Sequence, residues 1–283
     1  VTRPVRLQDL RDYKKNNRPW AMLTTYDYST TRAFVDAGIE VFLVGDSAAN
    51  TMLGYSGTNQ VSFEEMVMLT AAVVRGAGPA MVVADLPFGT YEASDEQAVR
   101  SATEMVRRTG AHVVKLEGGV RMASRIRAIT DAGVPVCAHL GFTPQSMNQL
   151  SGFKVQRGAE KLTADVDAVV EAGAEMVVFE MVPADIAAEL TARSPIPVIG
   201  IAPAMLPTPK CWCGTISRTF LRVIIVPVLL RRMRRLVRSL LARRGSIGRM
   251  WRHAASPLRS TRSKRWAFRR SPPCCLAVGC FLL

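Results

Sequence analysis

The feature that most limits how this chain can fold is a series of short, valine-rich stretches that do not alternate with polar residues. They read AML at 21–23, VFLV at 41–44, MVVA at 81–84, HVVKL at 112–116, PVCA at 135–138, EMVVF at 175–179 and PVIGI at 197–201. A half-exposed strand alternates its side chains, whereas near-continuous apolar runs mark parallel strands covered on both faces. Helical patterns lie between them, at 29–37, 63–75, 95–109 and 165–172, with another opening at 183–185. Ser62 is a predicted N-cap, and Glu65 three residues on supplies half of a capping box. Gly38, Gly110, Gly133 and Gly173 stand where helices are expected to end, a position that favours the left-handed conformation.

Strand then helix, repeated seven times in the first 201 residues, predicts a parallel α/β architecture. Two layouts satisfy it: an open doubly wound sheet and a (β/α)8 TIM barrel. The first strand-to-helix turns carry no GxGxxG, which weighs against a dinucleotide-binding sheet. The residues just past each strand favour the barrel. They are Thr24, Thr25, Tyr26 and Asp27 after the first, Asp46 and Ser47 after the second, and Asp85 after the third. Lys115 and Glu117 come next on the fourth, His139 ends the fifth and Glu180 ends the sixth. In a barrel these positions share the C-terminal rim, where active sites are built.

Taken singly, each has a plainer reading. Asp46 alone is best explained as a helix cap. His139 alone fits a satisfied core histidine, and Lys115 with Glu117 fits a surface pair of little energetic weight. Cys137, inside a strand, reads as core. Six convergent polar groups are harder to place without function, because burying them unpartnered is costly. Two aspartates with Glu117 form a hard, oxygen-rich set suited to magnesium rather than zinc. A lysine at the same mouth suits a carboxylate or an enolate, and a glutamate across the rim suits a base. The set fits proton removal beside a carbonyl with a metal holding the oxygen.

Charge divides the chain. Residues 202–283 hold 18 of the 37 Lys and Arg and no Asp or Glu, so residues 1–201 carry 19 basic against 23 acidic groups, a net of −4. Five of the six cysteines also lie beyond 201. No run of eighteen apolar residues occurs, so no membrane span is expected. The first twenty residues lack the apolar core of a secretory signal, which predicts a cytoplasmic protein.

Residues 5–201 resemble the ketopantoate hydroxymethyltransferase family of pantothenate biosynthesis. The resemblance is carried by TTYDYSTTRAFVDAGIEVFLVGDS, MLGYSGTNQVSFEEM, ADLPFGTY, VVKLEGG, PVCAHLGFTPQS and VVFEMVP, in that order along the chain. It implies a (β/α)8 barrel that assembles as a large homo-oligomer, typically a decamer. It also implies magnesium on the two oxygens of α-ketoisovalerate, with Asp46 and Asp85 as ligands and Glu117 close to the ion's water shell. By the same resemblance Ser47 and Lys115 contact the keto acid's carboxylate. Glu180 matches the base that removes the C3 proton, and His139 matches an active-site histidine. Methylene-tetrahydrofolate is the implied one-carbon donor. The family usually reads GDSLGM after the second strand, whereas Ala48, Ala49 and Asn50 come after Ser47 here.

The resemblance stops abruptly. The family continues past the seventh strand with a segment close to DGQVLVxHD, where this chain reads PKCWCGTI at 209–216. Read from the third base of the Pro209 codon, the same nucleotides can encode Gln-Val-Leu-Val-Trp-His-Asp, with the Leu and the second Val forced. A frameshift near residues 201–202 therefore accounts for the lost segment and for the Arg-rich, acid-free composition beyond it. The domain reading is a catalytic barrel at 1–201 and an aberrant, disordered basic tail at 202–283. A barrel lacking its eighth strand has two open edges, so a poorly soluble or partly folded product is expected.

Other readings of the tail are a basic amphipathic helix at 231–244 and a strand-like stretch at 223–230, the latter opposed by Pro227. CxC at 211–213 and the Cys274–Cys275 pair lack the spacing of a zinc site. Two other functions compete. One is a magnesium-dependent enolate barrel of the phosphoenolpyruvate mutase and isocitrate lyase kind, which favours a loop cysteine that is missing before residue 137. The other is a non-enzymatic protein binding polyanions without sequence preference.

Overall fold

The computed structural model describes residues 3–147 and 158–201. The tail readings at 223–230 and 231–244, and the disorder expected of 202–283, lie outside these residues. Seven strands form one sheet in chain order. They are β1 (Met22–Thr24), β2 (Val41–Val44), β3 (Met81–Asp85), β4 (Val113–Glu117), β5 (Val136–Gly141), β6 (Met176–Glu180) and β7 (Val198–Ile201). Every neighbouring pair is parallel. Helices separate them: α1 (Leu7–Lys15), α2 (Tyr28–Asp36), α3 (Ala48–Thr51), α4 (Phe63–Ala77), α5 (Asp95–Thr109), α6 (Ala123–Asp131), α7 (Ala159–Glu171) and α8 (Ala184–Arg193).

The sheet curls on itself. Met22, Val41, Leu43, Met81, Val83, Val113, Cys137, Met176, Val178 and Ile199 come from all seven strands and pack as one buried cluster. A flat sheet cannot bring its first and seventh strands to one core; a nearly closed barrel does. Side chains alternate between faces, so each inward residue is matched two positions later by another. The inward series therefore runs Met81, Val83, Asp85 on β3 and Val113, Lys115, Glu117 on β4. It continues as Cys137, His139 on β5 and Met176, Val178, Glu180 on β6. Cys137 is core, as expected, and its burial pushes the thiol up to about 12. The same register that packs the barrel floor thus delivers charged groups to its C-terminal mouth.

The other mouth is covered by α1. Val5 and Leu10 join the barrel cluster, with Leu7, Tyr13 and Trp20 packed against it. The Val5 N–H donates to the Pro79 carbonyl at 2.8 Å, Lys14 Nζ donates to the Thr191 carbonyl at 2.8 Å, and Arg11 pairs with Glu175. Pro79 and Glu175 stand just before strands, so α1 lies on the N-terminal side and leaves the charged rim free.

Local chemistry explains the helix starts. Asp27 caps α2 by accepting from the Thr30 N–H at 2.8 Å, a contact worth about 1 kcal/mol. Ser62 and Glu65 complete the expected capping box: the Glu65 N–H reaches Ser62 Oγ at 3.2 Å and the Ser62 N–H reaches Glu65 Oε2 at 2.8 Å. The helix expected at 165–172 begins at Ala159, because Gly158 supplies no side-chain cap to mark the start. Among the described residues no helix is long and apolar enough to cross a membrane.

Candidate active site at the barrel mouth

Asp46, Asp85, Lys115, Glu117 and His139 are all at least 95% buried, and the Glu180 side chain is 18% exposed. Lys115 Nζ pairs with Asp85 Oδ1 at 2.6 Å. Asp85 Oδ2 accepts from the Asp46 N–H at 2.9 Å. Asp46 is therefore no helix cap: its backbone grips Asp85, and its Oδ2 accepts from Gln145 Nε2 at 2.9 Å. At Gly45 an added Cβ would stand 2.8 Å from Ser47 Oγ, so the Ser47 hydroxyl would have to turn away, and 3.6 Å from Asp85 Oδ2, an ordinary contact.

Across the mouth, His139 sits between two carboxylates. Its Nδ1 is 3.3 Å from Glu117 Oε1 and its Nε2 is 3.2 Å from Glu180 Oε2. Neither contact is aligned as a hydrogen bond, and both ring nitrogens and Glu117 Oε1 lack a hydrogen-bond partner among the described residues. The ring is held by charge. Burial and Lys115 work against its protonation, but Glu117 and Glu180 outweigh them and raise His139 to about 9.

Burial likewise works against the Lys115 charge, yet Asp85, Glu117 and Asp46 hold the ammonium above its ordinary range. Asp46 moves the other way for a carboxyl, up to about 7, through burial first and then the negative charge of Asp85 and Glu117. Four carboxylates thus face one lysine and one histidine, and the deficit of positive charge falls on Asp46.

Glu180 is fixed by its backbone. Met181 adopts a positive φ of 52°, uncommon for a residue with a side chain. Gly141 has φ 94°, and a Cβ there would collide with the Glu180 carbonyl oxygen. That carbonyl accepts from the Phe142 N–H at 2.8 Å. Only glycine lets β5 pass this close to the end of β6.

Six sequence-predicted residues, Asp46, Asp85, Lys115, Glu117, His139 and Glu180, therefore form one connected group. Ser47 stands at its edge, hydrogen-bonded to the Tyr26 hydroxyl at 2.8 Å. Asp27, also at a strand end, is used by its helix instead. Sequence reasoning missed Gln145 and Tyr91, both buried and both bonded into the group. They lie in the ADLPFGTY and HLGFTPQS segments, but in loops where no strand register points to them.

The donor set suits a hard divalent cation. It is all oxygen, its carboxyls crowd one another enough to push Asp46 up to about 7, and Glu117 Oε1 is a buried carboxylate oxygen without a hydrogen-bond partner among the described residues. Among the described residues no three His, Cys, Asp or Glu side chains are assembled as a metal cage. Magnesium does not require one, since it usually takes one or two carboxylates and completes its shell with water and substrate.

A model of the ketopantoate hydroxymethyltransferase family matches residues 4–205. The 3-methyl-2-oxobutanoate hydroxymethyltransferase of Corynebacterium diphtheriae is 98% identical over 201 residues, 71% of this chain and 76% of that protein. The enzyme of that name from Corynebacterium jeikeium is 68% identical over 203 residues, covering 71% and 72% of the two chains. Among solved structures, phosphoenolpyruvate phosphomutase from Streptomyces platensis subsp. rosaceus aligns with TM-score 0.57 at 15% identity, over 82% of this chain and 88% of that one. 2,3-Dimethylmalate lyase, a member of the PEP mutase/isocitrate lyase superfamily, aligns with TM-score 0.53 at 16% identity, over 81% and 87%. These two share the barrel fold, whereas the sequence places the chain elsewhere: it belongs to the ketopantoate hydroxymethyltransferase family.

Proposed function

We propose that this chain transfers a hydroxymethyl group from methylene-tetrahydrofolate to 3-methyl-2-oxobutanoate (α-ketoisovalerate), giving ketopantoate. The observation that carries this reading is the convergence of six polar side chains at the mouth of a barrel whose sequence is 98% identical to a relative of that name. Asp46 and Asp85 are the residues that would hold magnesium, with Glu117 toward its water shell. Bound there, the ion would polarise the keto oxygen and balance the surplus negative charge. Lys115 keeps further N–H groups beyond the one given to Asp85, and with Ser47 it binds the keto acid's carboxylate. Glu180 removes the proton from C3, and the C–H electron pair moves into the C2–C3 bond. Water gives its oxygen to the methylene carbon of the folate and its two protons to the nitrogens as both C–N bonds break, releasing tetrahydrofolate and a one-carbon unit at the formaldehyde level. The C3 of the enolate attacks that carbon, the C=O pair moves onto its oxygen, and that oxygen takes up the proton Glu180 removed and becomes the hydroxyl. His139, positively charged between Glu117 and Glu180, orients the base and stabilises its ionised form before the proton arrives. Incubating the chain with magnesium, keto acid and methylene-tetrahydrofolate, with ketopantoate read by mass spectrometry, tests this. Glu180→Gln is expected to lower kcat by about 10²–10⁴-fold; an unchanged rate would remove Glu180 as the base.

We attribute residues 202–283 to a change of reading frame. Supporting this are the end of the family match at 205 and the acid-free composition beyond 201. The family-like peptide encoded by the shifted frame points the same way. Resequencing the gene across codons 195–220 tests it: an unbroken frame in independent reads would make the tail genuine. The homo-oligomer implied by the family is read by sedimentation velocity, and the proposed cytoplasmic location by cell fractionation.

A further inference from the structure

Gln145 lies in the short 3-10 turn Pro144–Ser146 beyond β5. It is 4% exposed, and each of its polar groups is engaged. The backbone N–H donates to Glu117 Oε2 at 3.0 Å. Side-chain Nε2 donates to Asp46 Oδ2 at 2.9 Å and to the Leu86 carbonyl at 3.1 Å. The backbone carbonyl accepts from Asn59 Nδ2 at 3.0 Å, and Oε1 accepts from the Tyr91 hydroxyl. That hydroxyl, on a residue 1% exposed, accepts in turn from the Glu117 N–H at 3.2 Å.

These partners admit one orientation of the amide. The Leu86 carbonyl only accepts, as does Asp46 Oδ2 when ionised, so turning the amide over would set Oε1 against the carbonyl in every state. Tyr91, donating to Oε1, locks the choice. The ends of β2, β3, β4 and β5 are joined through this one residue, its side chain reaching Asp46, Leu86 and Tyr91 and its backbone N–H reaching Glu117. Asp46 has no ion pair among the described residues, so Gln145 is what fixes its carboxylate, and the same residue fixes Glu117 from its backbone.

We propose that Gln145, locked by Tyr91, is the positioning residue that holds the Asp46 and Glu117 carboxylates at a set spacing to receive a divalent cation. The proposal rests on the magnesium reading above. Gln145 touches neither substrate nor the reacting atoms in that reading. Partners that orient metal-binding carboxylates typically change metal affinity by about 10- to 100-fold when removed.

Two measurements on the full chain test it. The first is Mn²⁺ binding measured by electron paramagnetic resonance, with no substrate present. Gln145→Leu is expected to weaken Mn²⁺ by about 10- to 100-fold. Tyr91→Phe, which keeps both amide donors but loses the lock, is expected to weaken it less, with a cooperative thermal melt retained. Unchanged Mn²⁺ affinity in a folded Gln145→Leu protein would overturn the proposal. The second is proton exchange of the Gln145 side-chain amide by NMR on metal-free protein, assigned by its loss in Gln145→Leu. Slow exchange that becomes fast in Tyr91→Phe supports the lock, and fast exchange in the parent overturns it. A parent that binds no Mn²⁺ would sink the magnesium reading, and the amide measurement would then decide the lock alone.

Discussion

Glu180 stands where a core strand runs out into water, and its neighbours hold it there. The residue after it accepts a left-handed backbone, and Gly141 opposite has no room for a methyl group. Gly141→Ala would drive a Cβ into the Glu180 carbonyl and push the carboxylate out of place. A shift of about 1 Å at a reacting group costs about 10²-fold in rate. The expected result is a loss of that order in kcat, with a smaller change in KM, measured in the ketopantoate assay; full activity would mean that the base tolerates movement. Glu180, His139 and Lys115 are legible in the sequence because each is a polar residue in phase with an inward-facing apolar series. Gln145 and Tyr91 are not, because a loop has no period to reveal which way a side chain faces.

Whole elements are legible where the chain spends a side chain on their ends. Asp27, Ser62 and Ser94 accept from the N–H groups of Thr30, Glu65 and Gln97, and all three helices start where those residues stand. α6 and α7 start behind Met122 and Gly158, which offer no capping side chain, so neither start is marked in the sequence. α1 is hidden because it precedes the first strand and belongs to no repeat. Its role appears only when Leu10 is seen against the barrel floor. Ser62→Ala should cost about 1 kcal/mol by removing the α4 cap, a fall in Tm of about 2–4 °C for a chain of this size. Leu10→Ala should cost more, about 2–5 kcal/mol, through a cavity under the barrel. Urea melts of the two variants check the ranking; equal losses would mean that α1 adds little to the core.

At the scale of the molecule, the parallel barrel can be read from seven apolar runs, but its closure cannot, because closure depends on the chain beyond β7. Among the described residues β1 and β7 are the two ends of the sheet. Restoring the inferred frame after residue 201 should therefore raise the unfolding temperature relative to the chain as it stands, measured by calorimetry. The 18 cations beyond residue 201 predict a second property of the chain as it stands. It should bind RNA of unrelated sequences with an affinity that falls steeply with salt and vanishes on deletion of 202–283. Binding that survived the deletion would move the polyanion site onto the barrel.

The central claim is that the rim residues remove a proton from C3 of the keto acid. It is tested most directly by magnesium-dependent deuterium exchange at C3 of α-ketoisovalerate, monitored by NMR, which requires no folate. The expected result is exchange catalysed by the chain and abolished in Glu180→Gln and Asp85→Asn. Exchange absent from the chain but present after frame restoration would keep the site and locate the defect beyond residue 201. Exchange absent from both, or undiminished in Glu180→Gln, would contradict the account.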